Sequence, residues 1–221
     1  MGRYKLAIVH TTPVTVDPLK ALAQETMPGI EVVNLVDDSI LPQLAVNGGQ
    51  VEEIRDRWRE YARIAEKLGA DCILNACSSI GELSALVQPD IGVPIVRIDD
   101  AMAEHAVRSA TAIGVAATLE TTLNPTQRLL LAKAEKIGKT VELVPVVASG
   151  AYRKLIEGDK EGHDEELASV LRELGERTEL VVLAQASMAR VLSRFSTQER
   201  ERFLTSPALG MAYVKRRLEG R

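Results

Sequence analysis

The sequence predicts an α/β protein in which two similar lobes are each built on a mostly parallel sheet. Short runs rich in Val, Ile and Leu alternate with longer amphipathic segments along the chain, which is the pattern of strands joined by helices. The chain has 221 residues, which is enough for two domains of about 100 residues each. Two motifs of the first half also recur in the second half. These observations favour two Rossmann-like lobes related by pseudo-two-fold symmetry.

The first lobe is predicted over residues 1–99 as alternating strands and helices. Its strands are the short apolar runs at 5–10, 30–35, 71–75 and 95–98. Its longest helix is predicted over 51–68, where apolar residues recur at spacings of three and four. Trp58 falls on this helix, and we assign it to packing or to a subunit contact.

The second lobe is predicted over residues 100–205 with the same alternation. Its strands are predicted at 111–116, 141–146 and 180–184, and its helices at 101–109, 119–137 and 163–177. The acidic stretch 158–166 is interpreted as a solvated helix entry. A last helix is predicted at 208–218, and we expect residues 206–221 to pack back on the first lobe.

The composition argues against several classes of function. A net charge of -4 and a pI near 5.6, with Lys and Arg scattered among acidic residues, disfavour a nucleic-acid or anionic-membrane partner. No apolar run reaches about 18 residues, and the apolar stretch near the N-terminus is too brief for a signal peptide, so a cytoplasmic location is expected. Small molecules are therefore the expected ligands.

No metal and no cofactor are predicted. Cys72 and Cys77 lie on one predicted strand and the turn after it, too extended to bridge each other, so both are expected to be free thiols. Three dispersed histidines match no zinc spacing. The turn at 47–49 lacks the preceding strand that a nucleotide-binding loop needs.

The most informative feature is a small-residue turn after a buried strand. The sequence ILNACSS at 73–79 recurs without its cysteine as VLAQASM at 182–188, and AIVHTT at 7–12 resembles IGVAAT at 113–118. Open parallel sheets place ligands at the C-terminal ends of their strands. Cys77 is therefore the candidate catalytic residue, whereas Cys72 lies in the middle of the strand and is assigned to the core.

The polar residues of these four turns are the candidate ligand contacts. His10 is the only histidine at a predicted strand end, whereas His105 and His163 lie in helical segments and are assigned surface or structural roles. Asn75 either caps the strand end, orients the thiol or binds substrate. Ser78, Ser79, Thr118 and Ser187 could cap the following helices, which does not exclude a contact with the ligand. The candidate substrate-binding residues are His10, Thr11, Thr12, Asn75, Ser78, Ser79, Thr118, Gln185, Ala186 and Ser187.

In these motifs and their order, the chain resembles the aspartate/glutamate/hydantoin racemase family over nearly its whole length. The resemblance implies two α/β lobes, a ligand in the cleft between the four turns, an active-site cysteine after a strand in each lobe, no cofactor, and a homo-oligomer. Only the first lobe has this cysteine, since the second position falls on Gln185 or Ala186 depending on the alignment. A related enzyme, arylmalonate decarboxylase, resembles this fold with the opposite cysteine missing.

The resemblance implies proton transfer at a carbon next to a carboxylate. Such chemistry needs a base and convergent hydrogen-bond donors, because charge accumulates on the carboxylate. Helix N-termini after the turns are expected to lower the pKa of Cys77 and so favour its thiolate as the base. Racemisation with one thiol requires His10 or a bound water as a second group, or a substrate acidic enough for one base.

Two other functions stay open. A decarboxylase acting on an activated dicarboxylate needs only one acid to protonate the enolate, which Cys77 could supply. A catalytically silent binder of small carboxylates would need no second cysteine at all. The racemase-type enzyme is preferred, the decarboxylase comes second, and the silent binder third.

Overall fold

The structure, a computed structural model, describes residues 4–220. These residues form two compact units, which we call the first and the second lobe. The first lobe extends to Asp99 and resumes at Pro207, and the second lobe is Asp100–Ser206. Residues 1–3 and 221, which belong to the predicted first lobe and its C-terminal segment, lie outside the described residues.

The first lobe has a sheet of four parallel strands in the order β2-β1-β3-β4. The strands are β1 (Lys5–His10), β2 (Glu31–Val36), β3 (Cys72–Asn75) and β4 (Ile95–Arg97). The helices between them are α1 (Val16–Thr26), α2 (Ile40–Val46), α3 (Glu52–Lys67) and α4 (Leu83–Val87). Short 3-10 helices are found at Pro13–Thr15, Ser78–Ile80 and Gln88–Asp90. All four residues of β3 are buried, as expected of a parallel strand covered on both faces.

The second lobe repeats this topology with the strand order β6-β5-β7-β8. Its strands are β5 (Ala112–Ala117), β6 (Glu142–Val147), β7 (Leu180–Leu183) and β8 (Phe203–Thr205). Its helices are α5 (Asp100–Ser109), α6 (Glu120–Lys136), α7 (Ser149–Ile156), α8 (Lys160–Arg177) and α9 (Thr197–Arg200), with a 3-10 helix at Ala186–Arg194. The last helix, α10 (Ser206–Glu219), belongs to the first lobe from Pro207 onward.

The predicted fold class is confirmed, because both lobes are parallel sheets with interleaved helices. The seven predicted strands are present, with ends that match the prediction or differ from it by one residue. The sequence did not predict β8, because three residues are too few to show a strand pattern. Helix α8 begins at Lys160, earlier than predicted, because the side chain of Asp159 accepts a hydrogen bond from the N–H of Gly162 at 2.8 Å and caps it.

Each lobe has its own apolar core. In the first lobe, Trp58 is fully buried and packs with residues of α2, α3, β1 and β3, which assigns it to packing. In the second lobe, residues of β7 and α8 pack with the ring pair Phe195 and Phe203, whose centroids are 4.7 Å apart. In the described part of the chain, no helix is long and apolar enough to cross a membrane.

Candidate active site

The turn after β3 is held in place by Asn75. This side chain is fully buried, and its Nδ2 donates to the carbonyl oxygen of Ile80 at 3.0 Å and to Ser84 Oγ at 3.1 Å. Its Oδ1 accepts from the backbone N–H of Cys77 at 3.2 Å. Since these bonds engage both ends of the amide, Asn75 is placed to orient the thiol turn.

Cys77 is buried at the end of this turn, in extended backbone directly before the 3-10 helix Ser78–Ile80. Burial raises the pKa of its thiol, and four hydrogen bonds act in the opposite direction. They come from the hydroxyls of Thr11 and Ser79 and from the backbone N–H groups of Ser79 and Ile80. The sulfur therefore lies among donors that stabilise its anion.

The expectation of a lowered pKa for Cys77 is wrong. A helix terminus lowers a thiol pKa when aligned peptide dipoles extend behind it. Here the turn is followed by a single 3-10 turn and then by α4, which has only five residues. Desolvation makes the largest contribution, and the pKa of Cys77 is raised.

Cys77 and Cys72 are both free thiols, and Cys72 is fully buried in β3.

His10 ends β1 and is fully buried. Its Nδ1 lies 2.8 Å from Thr15 Oγ1, and its Nε2 lies 3.0 Å from Asn34 Oδ1. Burial lowers its pKa. Both ring nitrogens are thus engaged within the first lobe, an arrangement that suits a structural role.

Thr12, next to the buried Thr11, is partly exposed, and its Oγ1 accepts from the N–H of Val14 at 3.4 Å.

An ion pair that the sequence analysis missed lies at the C-terminal end of the neighbouring strand β4. Arg97 donates to the fully buried carboxylate of Asp99 through Nε at 2.6 Å and through Nη2 at 3.0 Å. The Arg97 guanidinium also packs against Gly81, leaving no room there for a Cβ atom. The available signal was the pair of charged residues at 97 and 99, directly after an apolar strand.

In the second lobe, the position equivalent to Cys77 is occupied by Gln185. Gln185 is in extended backbone directly before the 3-10 helix Ala186–Arg194, as Cys77 is before its own 3-10 helix. The strand ends match as well, since the N–H of Ala76 donates to Val9 and the N–H of Ala184 donates to Ala116. The alignment that the sequence left open is therefore resolved in favour of Gln185.

Gln185 contacts Thr118, the residue that follows β5. The Oε1 atom of Gln185 accepts from the backbone N–H of Thr118 at 2.7 Å and from its Oγ1 at 2.9 Å. In the first lobe, Thr11 follows β1, and its hydroxyl donates to Cys77. Both lobes therefore place a threonine hydroxyl against the side chain at this position.

Four hydroxyl residues of the turns are not helix caps, contrary to one of the predicted interpretations: Ser78, Ser79, Thr118 and Ser187. Thr12 is the exception, since it is the N-cap of the 3-10 helix Pro13–Thr15. Ser78 and Ser79 lie inside a 3-10 helix whose N-cap is Cys77, and Leu119 rather than Thr118 is the N-cap of α6. Ser187 lies inside the 3-10 helix that begins at Ala186, and it is exposed. These helical segments begin one or two residues away from the starts that the hydroxyl pattern indicated.

The remaining histidines have the expected surroundings. His105 is exposed on α5, and His163 is buried on α8 with Nδ1 2.8 Å from Asp164 Oδ1. Within residues 4–220, no group of three or more His, Cys, Asp or Glu side chains is arranged to hold a metal ion.

The family model described as Asp/Glu/Hydantoin racemase matches residues 5–213. The chain belongs to this family. Solved structures of racemases share the fold of this chain. Aspartate racemase from Picrophilus torridus is 12% identical, with a TM-score of 0.75 and coverage of 98% of this chain and 94% of that one. The chain has no significant match among curated protein sequences.

Two further racemase structures share the two-lobed fold with this family member. Glutamate racemase from Francisella tularensis, solved in complex with D-glutamate, is 13% identical with a TM-score of 0.75, covering 99% of this chain and 81% of that one. Allantoin racemase from Klebsiella pneumoniae is 16% identical with a TM-score of 0.63, covering 96% and 86%. At these identities the likeness establishes the fold alone.

Proposed function

We propose that this racemase-family protein is a cofactor-independent enzyme that transfers a proton at the carbon next to a carboxylate, through Cys77. The observation that carries the proposal is the surroundings of the Cys77 sulfur, where two hydroxyls and two backbone N–H groups donate to one buried atom. Preorganised donors stabilise a charged nucleophile or base without reorganisation during the reaction. A structural cysteine in an apolar core needs no such donors.

The reaction begins with the thiolate of Cys77 removing the proton from the substrate carbon. The C–H electron pair moves into the bond to the carboxylate carbon, which gives an enediolate, and the proton is now on sulfur. Return of a proton from the thiol to the same carbon completes the cycle. Because the thiol exchanges with solvent, the returned hydrogen comes from water.

A single thiol acts on one face of the carbon. The equivalent position of the second lobe carries Gln185. Its amide neither takes up nor releases a proton near neutral pH. The proposed activity is therefore hydrogen exchange that favours one enantiomer, with inversion slower than exchange. The proposed substrate is a small-molecule carboxylate, and the family resemblance leads us to propose a homo-oligomer.

A decarboxylase is the second candidate, and one observation favours it. Burial raises the pKa of Cys77, which keeps the thiol protonated near neutral pH and suits a general acid. In this reaction the bond to one carboxylate of an activated dicarboxylate breaks, carbon dioxide leaves, and the electron pair remains as an enolate. The thiol protonates the enolate carbon and is reprotonated by water.

The deciding experiment follows substrate hydrogens and carbon dioxide in deuterated buffer. The probes are D- and L-aspartate, D- and L-glutamate and methylmalonate, examined by proton NMR with the full chain. We expect exchange at the α-carbon of one enantiomer of one amino acid, and a loss of at least about 100-fold in Cys77→Ser. Carbon dioxide release from methylmalonate, dependent on Cys77, would establish the decarboxylase instead.

The matched control is Cys72→Ala, which removes the other thiol from the core of the first lobe and should retain exchange. Full exchange in Cys77→Ser would overturn the proposed role of the thiol. Binding of a probe without exchange and without carbon dioxide release would identify the protein as a silent carboxylate binder.

A further inference from the structure

The orientation of the Gln185 amide carries an inference about substrate recognition. Gln185 is partly buried at the start of the 3-10 helix Ala186–Arg194, directly after β7. Its Oε1 faces two donors of Thr118, the backbone N–H at 2.7 Å and the hydroxyl at 2.9 Å.

The amide has only one orientation compatible with these contacts. A backbone N–H can only donate, so the Gln185 atom that faces it has to be the carbonyl oxygen. Turning the amide by 180° would place its NH₂ group against the N–H of Thr118, and two donors would face each other. Thr118 therefore determines which end of the amide points away from it.

The end that points away is Nε2, which carries two N–H donors. Among the residues that the structure describes, Nε2 of Gln185 has no hydrogen-bond partner, whereas its Oε1 has two. A fixed donor pair that carries no charge suits an anionic oxygen such as that of a carboxylate or an enolate. It does not suit proton transfer.

We propose that Gln185 is a specificity-determining residue that donates through Nε2 to a carboxylate oxygen of the substrate, and that Thr118 positions it. This inference rests on the proposed function, since it assigns the substrate class by its anionic oxygen.

The test is Gln185→Glu, measured as direct binding by calorimetry at pH 8 with the full chain. The probes are D- and L-aspartate, D- and L-glutamate, and methylmalonate. Glu keeps an oxygen to accept from Thr118 but replaces the donor pair by a negatively charged oxygen. We expect the dissociation constant of the bound probe to rise by about 30-fold or more, because a donor is lost and like charges meet. An unchanged melting temperature excludes misfolding as the cause.

The positioning role of Thr118 has a matched pair of variants. Thr118→Val removes the hydroxyl and is expected to raise KM with little change in kcat, whereas Thr118→Ser restores the wild-type KM. A role limited to folding would lower the melting temperature without this separation of KM and kcat. Equal effects of Thr118→Val on KM and kcat, or no rescue by serine, would argue against positioning.

The outcomes separate this inference from the proposed function. If a probe binds and Gln185→Glu weakens it, but neither exchange nor carbon dioxide release occurs, the inference stands and the proposed catalysis fails. If exchange occurs and Gln185→Glu binds as tightly as the wild type, the inference fails and the catalysis stands. If no probe binds the wild-type chain, the assignment of a carboxylate to Gln185 is overturned.

Discussion

At the scale of single residues, two opposing effects act on the pKa of Cys77, the proposed catalytic residue. Burial disfavours the anion of Cys77 and raises its pKa, while the surrounding hydroxyls and N–H groups favour the anion. The net effect keeps the proton on sulfur near neutral pH, and the donors reduce the free energy needed to remove it. In the proposed reaction, Cys77 would use both effects, since it has to give up a proton and take one up again.

Removal of one donor should shift the pH dependence of this cycle. In Thr11→Val, the hydroxyl that donates to Cys77 is lost while the shape is kept, so the pKa of the thiol rises further. In the proposed reaction the rate of α-proton exchange should increase with pH as the thiolate forms, and this increase should move to higher pH in the variant. At neutral pH we expect the exchange rate to fall by about tenfold or more.

The matched control for this prediction is Thr11→Ser, which keeps the donating oxygen. Its pH profile should coincide with that of the wild type, measured as kcat/KM from pH 6 to pH 10. A Thr11→Val profile that is lower at every pH but not displaced along the pH axis would indicate a role in packing rather than in stabilising the thiolate.

At the scale of elements, the positions where strands end were easier to predict than which residues occupy equivalent positions in the turns that follow them. The repeated turn motif located Cys77 and its second-lobe counterpart, because residues after parallel strands fall on one sheet edge. The choice between Gln185 and Ala186 stayed open, because Leu183 and Met188 allow two alignments. Only the backbone hydrogen bonds of Ala76 and Ala184 resolve it.

Other features of the site had no usable sequence signal. The pKa of Cys77 depends on how completely the folded chain removes the sulfur from water, which the pattern around position 77 does not reveal. The Arg97 and Asp99 pair depends on a side-chain conformation that brings the guanidinium onto Gly81. The strand β8 has only three residues, so its pairing with β7 decides its conformation.

Helix α10 should be sensitive to a single added methyl group. A Cβ atom at Gly210 would collide with the backbone carbonyl oxygen of Ile98, which cannot move aside as a flexible side chain can. Although alanine favours helices, Gly210→Ala should lower the free energy of unfolding by about 1 to 3 kcal/mol. Thermal unfolding followed by circular dichroism measures the change.

The matched control is Gly175→Ala, in the buried part of α8. A Cβ atom there meets only the ring of Phe203, at an ordinary contact distance of 3.7 Å. The higher helix propensity of alanine should then raise stability by about 0.5 to 1 kcal/mol. A stabilising Gly210→Ala would show that α10 can move away from Ile98 at little cost.

At the scale of the whole molecule, each lobe has its own parallel sheet and its own apolar core. The same strand order in both lobes, with a threonine donor facing the side chain after the third strand of each, supports the duplicated unit that the sequence repeats predict. The chemistry of the two lobes nevertheless differs at one position, a thiol in one and an amide in the other.

The folded protein should lose stability in mild acid because of His10. Burial lowers its pKa, so below about pH 6.5 the unfolded chain takes up a proton that the folded chain resists. The contribution is fully present above that pH and is lost as the pH falls toward the folded pKa. Its slope is at most about 1.4 kcal/mol per pH unit.

Urea unfolding at pH 5 and pH 8 measures this effect when His10→Gln is compared with the wild type. The loss of stability between the two pH values should be smaller in the variant, since glutamine does not titrate. Equal losses in both proteins would assign the acid sensitivity to other groups, such as the carboxylates.

The discontinuous first lobe also implies an order of events during synthesis. Its C-terminal part begins at Pro207, after the whole second lobe has been translated, and Gly210 packs against Ile98, which emerges from the ribosome far earlier. At ordinary elongation rates the delay is on the order of ten seconds. The first lobe to emerge is therefore the last to be completed, and until then the nascent chain exposes the apolar surface that α10 will cover.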